Sequence, residues 1–324
     1  MRNGILAAGN FIVDRVKLID SYPAQDTLAT ILSETPSNGG GPYNVLSDLA
    51  RMGVPYPLSA AGLIGDDTDG EWILSDCAGH GIATTLLLQS PGHPTSYTDV
   101  MTVKSTGRRT FFHQRGANAA FTGDQIDFQK TNAKILHLGY LLLLDHLDTF
   151  AADGKTHAAH LLARATDAGL TTALDLVSAD HPQFRQIVRS SLPHTDYLFL
   201  NEIEAGNILG KAVPPDSPAA IAGAAEAILS LGVRRAVTLH TEHHAATAAS
   251  SGEIHHQPSL KVPPSEIRGA NGAGDAFAAG FLHAIHQQES IPAALALAVK
   301  TAAQCLTHPT PSGGVRTSST KDEF

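Results

Sequence analysis

Short apolar runs alternate with Ala-rich amphipathic stretches along most of the chain. The runs at 4–8, 57–61, 135–138, 171–175, 197–200 and 236–239 predict buried strands. The stretches at 44–52, 70–78, 156–168, 219–231, 274–286 and 291–306 predict helices with one apolar face. Strands and helices in this alternation imply βαβ units. A mainly parallel sheet, covered by helices on both faces, is the architecture that buries such strands.

Two stretches break the rhythm. Residues 15–38 show no helical period and carry the turn-prone Ser21-Tyr22-Pro23 and Thr35-Pro36-Ser37. Residues 95–114 read as two extended segments, 97–103 and 109–114, joined by a hairpin turn at Ser105-Thr106-Gly107. Together they predict a small β lid over a site. The expected organisation is an α/β core from 1–14, 39–94 and 115–311. The lid comes from 15–38 and 95–114, and 312–324 is expected to be a loose Ser/Thr/Gly-rich tail.

Composition narrows the function. The 324 residues are 43% hydrophobic and 16% charged, enough for a sizeable core. A net charge of −9 argues against a broad nucleic-acid-binding surface. The N-terminal apolar run is broken by Gly9-Asn10 and reads as a first strand, not a signal peptide. No stretch reaches the ~20 apolar residues of a membrane span. With 2 cysteines there is no disulfide framework, and a cytoplasmic location is expected. The 17 histidines form no set with zinc-ligand spacing.

The sharpest chemical feature is Arg268-Gly269-Ala270-Asn271-Gly272-Ala273-Gly274-Asp275-Ala276-Phe277. Glycines and small residues lead into a helix anchored by Phe277, Phe281 and Ile285 at spacings of four. The first turn of such a helix offers unpaired N–H groups and the positive end of the dipole to an anion. Asp275, at that same end, is placed to take a proton from an attacking hydroxyl.

Gly272-Ala273-Gly274-Asp275-Ala276-Phe277, with Gly280, resembles the C-terminal signature of the ribokinase-like (PfkB) carbohydrate kinases. The resemblance implies a three-layer α/β/α fold with a small β-strand lid. It also implies Asp275 as catalytic base and the 272–274 amides as anion hole. Further segments match in the family's order. Gly9-Asn10-Phe11-Ile12-Val13-Asp14 resembles the opening strand, whose aspartate binds substrate hydroxyls. Asn38-Gly39-Gly40-Gly41-Pro42-Tyr43-Asn44 resembles the N-terminal signature, implying substrate contacts at Gly40, Gly41 and Asn44. Read alone, that segment is also a turn before a helix, with Asn44 as its cap. Asn201-Glu202-Ile203-Glu204 resembles the family's Asn-x-x-Glu element. There Asn201 and Glu204 organise Mg2+ and phosphates, mainly through water. Read alone, it is an acidic helix start. On the nucleotide side the resemblance implies Thr238, His240 and Asn271, with ATP as donor.

The chain also departs from the pattern. Gly269 stands where relatives carry an aspartate tied to a monovalent-cation site, which argues against potassium activation. His240 replaces a glycine of the adenine-side loop. The expected activity is phosphorylation of a hydroxyl, primary by preference, on a sugar-like small molecule. Alternatives are a nucleoside kinase, whose base Tyr97, Phe111 and Phe112 would cover, and a silent binding protein on the same fold. A homodimer through the lid is expected by analogy.

Overall fold

The computed structural model describes residues 2–317. The chain opens with β1 (Ile5–Gly9), then leaves the main sheet for β2 (Ile12–Ile19) and β3 (Ile31–Gly39). It returns through α1 (Gly41–Met52), β4 (Leu58–Gly65), α2 (Thr68–Gly79) and β5 (Ala83–Ser90). A second excursion makes β6 (Tyr97–Val103) and β7 (Arg109–Gln114). The main body continues with β8 (Ile135–Leu141), α3 (Asp145–Asp148), α4 (His157–Asp167), β9 (Thr171–Leu176) and α5 (Phe184–Ser191). Next come β10 (Tyr197–Asn201), α6 (Glu202–Leu209), α7 (Pro218–Leu229), β11 (Ala236–His240), β12 (His244–Ala249) and β13 (Ile254–Pro258). The described elements end with α8 (Ala273–His286) and α9 (Ile291–Cys305).

The large sheet runs β13-β12-β11-β10-β9-β8-β1-β4-β5. It is parallel from β11 to β5, and β12 and β13 add an antiparallel edge. Alternate strand residues feed two cores. Leu6 and Ala8 face a layer containing Leu161, Ile187, Ala205 and Ile221 of α4–α7. Ile5 and Ala7 face a layer containing Leu46, Ile73, Phe281 and Leu295 of α1, α2, α8 and α9. This is the expected three-layer α/β/α arrangement. Continuous apolar strands are the consequence of covering both faces.

The second sheet runs β3-β2-β6-β7, with β2 and β6 parallel and the outer pairs antiparallel. β2 begins at Ile12, so Asp14 stands on the small sheet and not on the opening core strand. The small sheet therefore takes in residues 12–14, which the sequence assigned to the core. β5, β12, β13, α3 and α5 were not among the expected elements, and α6 is the helix whose start 201–204 suggested when read alone. β5 is a largely exposed edge strand, and β12 reads His-Ala-Ala-Thr-Ala-Ala, without β-branched apolar residues beyond Thr247. α1 starts at Gly41 with Gly40 at its cap; Asn44 lies inside the first turn and is not the cap. Residues 312–317 are not a loose tail: Ser312 and Val315 are buried, while 318–324 lie outside the described residues. No helix among the described residues is long and apolar enough to cross a membrane.

α8 is held against α9 at Gly280. A Cβ there would come within 2.6 Å of Thr301 Oγ1 and 2.9 Å of the Ala298 Cα. Overpacking a contact this close costs about 1–3 kcal/mol. Gly280→Val is expected to lower the thermal midpoint seen by circular dichroism; an unchanged midpoint would show that the pair can separate freely.

Candidate active site

The start of α8 lies at the meeting point of several distant segments. Gly272 takes φ 80° at the cap, and a Cβ there would lie 2.5 Å from Pro311 Cβ. Both demands select glycine. The amides of Gly274 and Asp275 follow in the first turn, where no preceding carbonyl is in register to accept them. Phe277 and Phe281 are buried behind them and fix the helix.

Asp275 is 4% exposed, and both carboxylate oxygens accept hydrogen bonds. Asn44 Nδ2 donates to Oδ2 at 2.8 Å, and the Tyr140 hydroxyl donates to Oδ1. Burial pushes this carboxyl up to about 6, against the lowering effect of Tyr140 and Asn44. Asn44, expected to touch substrate, instead bonds the Asp275 carboxylate. Tyr140 carried no signal in the sequence.

Asp14 is brought to the same place. Asn271 Nδ2, from the loop entering α8, donates to Asp14 Oδ2 at 3.1 Å. Asn271 was expected on the nucleotide side; its side chain instead serves the proposed substrate carboxylate. Burial raises Asp14 to about 7, partly offset by that bond, and the Asp275 charge adds to the rise. The glycines at 39–41 clear space for three different neighbours. A Cβ would lie 2.5 Å from Asp14 Oδ2 at Gly39, 2.1 Å from the Asn10 carbonyl at Gly40, and 2.7 Å from Tyr140 Cε1 at Gly41.

Asn201 and Glu204 form a capping box at the start of α6. Asn201 Oδ1 accepts from the Glu204 amide at 2.9 Å, and the Asn201 amide donates to Glu204 Oε2 at 3.0 Å. Ser178 Oγ and Asn201 Nδ2 both donate to Glu204 Oε1, each at 2.9 Å. Burial raises Glu204 to about 7 against these bonds. With both oxygens engaged, Glu204 fits an ion held through water better than direct ligation. Among the described residues no cluster of three or more His, Cys, Asp or Glu could hold a metal.

Thr238 does not face a cleft: its hydroxyl shares a 2.9 Å hydrogen bond with Thr247 inside the sheet. His240 packs on Phe277 with ring centroids 5.0 Å apart, and a Cβ on Gly274 would meet its Cε1 at 3.4 Å. Burial lowers its ring to about 4, so it is neutral at pH 7. Two further acids crowd the centre without having been foreseen. Asp48 and Asp175 are both raised well above the ordinary carboxyl range by burial, with the Asp275 charge adding to each.

These shifts have a measurable consequence. A carboxyl raised in the folded state binds its proton more tightly there than in the unfolded chain. Its contribution is complete below about pH 4 and is lost as pH rises through about 7 for Asp14 and Glu204. Buried neutral His137, near 3, and His240, near 4, act in the opposite sense, but only up to the ordinary histidine value of about 6.5. The ligand-free protein is therefore expected to lose thermal stability between pH 6.5 and 8, less steeply in Asp14→Asn. A melting temperature that holds level or climbs over that interval would contradict the assignment.

With the geometry established, three comparisons bear on identity. An ATP-dependent ribose-1-phosphate kinase of Halopiger xanaduensis is 27% identical over 285 residues, 86% of this chain and 83% of that protein. The structure of Arabidopsis thaliana ribokinase complexed with ribose and ATP superposes with a TM-score of 0.80 at 22% identity, covering 98% of this chain and 96% of that one. A Burkholderia thailandensis nucleoside kinase in complex with inosine superposes at 0.75 with 16% identity, covering 97% and 93%. Both confirm the fold. The pfkB family carbohydrate kinase profile matches residues 5–317, and the chain belongs to that family of phosphotransferases.

Proposed function

We propose that this kinase transfers the γ-phosphoryl group of ATP to a hydroxyl, by preference primary, of a sugar or nucleoside. The observation that carries the reading is the link between the two carboxyls. Asn271 bonds Asp14, and four residues along the same segment Asp275 sits at the open end of α8. Asp14, with the backbone at Gly40 and Gly41, would grip substrate hydroxyls, since a carboxylate accepts from a vicinal pair. Asp275 would take the proton of the attacking hydroxyl as its oxygen bonds to phosphorus and the bond from phosphorus to ADP breaks. The first-turn amides of Gly274 and Asp275 would stabilise the charge on the transferring group, while that of Ala273, expected to join them, donates to the Ala270 carbonyl at 3.5 Å. Mg2+, held through water near Asn201 and Glu204, would supply neutralisation of the phosphates. The small sheet would cover the site and exclude water.

The names of the relatives support a ribose-containing acceptor. Arg109 favours one that carries negative charge: its charge acts on Asp14, its guanidinium lies 5.7 Å from the Phe111 ring, and no carboxylate among the described residues forms an ion pair with it. ADP release should be measured with ribose, ribose 1-phosphate, adenosine and inosine. Asp275→Asn is expected to reduce turnover by about 10²–10⁴-fold while titration calorimetry still detects ATP. Turnover near the wild-type value in that variant would remove the mechanism.

A homodimer through the small sheet belongs to the same reading. Leu28 is 89% exposed in the β2–β3 connection, and Tyr22, Ile31, Leu32, Phe111 and Phe112 are also exposed on that connection and on the two faces of the small sheet. Sedimentation is expected to give a dimer's mass, and a monomer at micromolar concentration would exclude this contact.

A further inference from the structure

Tyr140 lies near the end of β8, beside the start of α8, and its position is fixed from three directions. Its amide donates to Asn10 Oδ1 at 2.9 Å. Its ring lies over Gly41, where any side chain would collide with it. Its hydroxyl ends on Asp275 Oδ1, opposite the Asn44 amide on Oδ2. A tyrosine filling a core would not need to reach a buried carboxylate, and its hydroxyl would be unpaired if the ring turned away.

We propose that Tyr140 is a positioning residue for the phosphoryl-transfer base, holding the Asp275 carboxylate from one oxygen while Asn44 holds the other. This rests on Asp275 acting as the base. Each carboxylate oxygen has two lone pairs, so one donor on each still leaves room for the substrate hydroxyl.

The electrostatic surroundings explain why such a clamp is needed. Asp14 from β2, Asp48 from α1, Asp175 from β9 and Cys305 from α9 all feel the Asp275 charge. Glu204 from α6 acts on Asp175, Arg109 from β7 acts on Asp14, and neutral His240 from β11 flanks Gly274. The hydrogen bonds of Tyr140 and Asn44 oppose the rise that burial imposes on Asp275. Burial and the Asp275 charge also raise the Tyr140 phenol well above its ordinary value, so it remains a donor throughout the working range.

The test is the pH dependence of turnover in Tyr140→Phe. Loss of a donor favours the protonated acid, so the acidic limb of kcat is expected to move to higher pH by roughly half a unit or more. The maximal kcat should fall about tenfold, with the KM for ATP little changed. Incorporating 3-fluorotyrosine at 140, an isosteric and more acidic donor, should move the limb the other way. A 13C titration of the Asp275 carboxyl reads the same contact in the free protein, whether or not an acceptor has been found. A uniform loss of activity with the limb and the carboxyl titration unmoved would overturn the proposal and leave Tyr140 a packing residue. If the wild-type chain phosphorylates nothing in the panel while Tyr140→Phe still moves the carboxyl titration, the contact stands and the kinase assignment of Asp275 falls.

Discussion

One carboxylate removed from water at the first turn of a helix organises the centre of this molecule. Burial raises the energy of its ionised form, and among the described residues no lysine or arginine bonds it. Neutral donors do the holding. That arrangement requires α8 to be immovable, and the chain meets the requirement from several sides. Phe277 and Phe281 anchor its buried face, Gly280 brings α9 into close contact, and Gly272 allows the turn to pass against Pro311.

The acidic crowd around Asp275 gives the site a distinct electrostatic character. Asp14, Asp48 and Asp175 lie close enough to interact with it, and Glu204 interacts with Asp175. A nucleoside triphosphate entering alone would meet repulsion from whichever of these acids is ionised, and would hold them protonated. One that arrives with its own divalent ion brings the compensating charge. On the proposed function, binding of the donor and ionisation of the acids would be coupled through the same field.

Much of this was legible in the chain. The six inner parallel strands are short apolar runs, and their length and alternation with helical stretches gave them away, whereas β5, exposed at the edge, was missed. The Asn201–Glu204 box is local, with its partners three residues apart, so the pattern and the contact coincide. What escaped notice depends on long-range closure. Tyr140 touches Asp275 across 135 positions, and Asn271 touches Asp14 across 257. No local spacing encodes either contact. β12 escaped because its alanines carry no strand preference, and its pairing with β11 decides its state. Residues 312–317 read as a loose Ser/Gly tail, but Ser312 packs beside the Asn44 carbonyl, 268 positions away.

The placement of Asp14 on β2 carries a mechanical implication. That strand belongs to the small sheet, yet its carboxylate is tied to the loop feeding α8 through Asn271. Any swing of the small sheet away from the body stretches this tether and draws one jaw of the pocket away from the other. Acceptor capture and cover closure would then be one event with one free energy, and an acceptor too short to reach Asp14 would leave the cover unlatched.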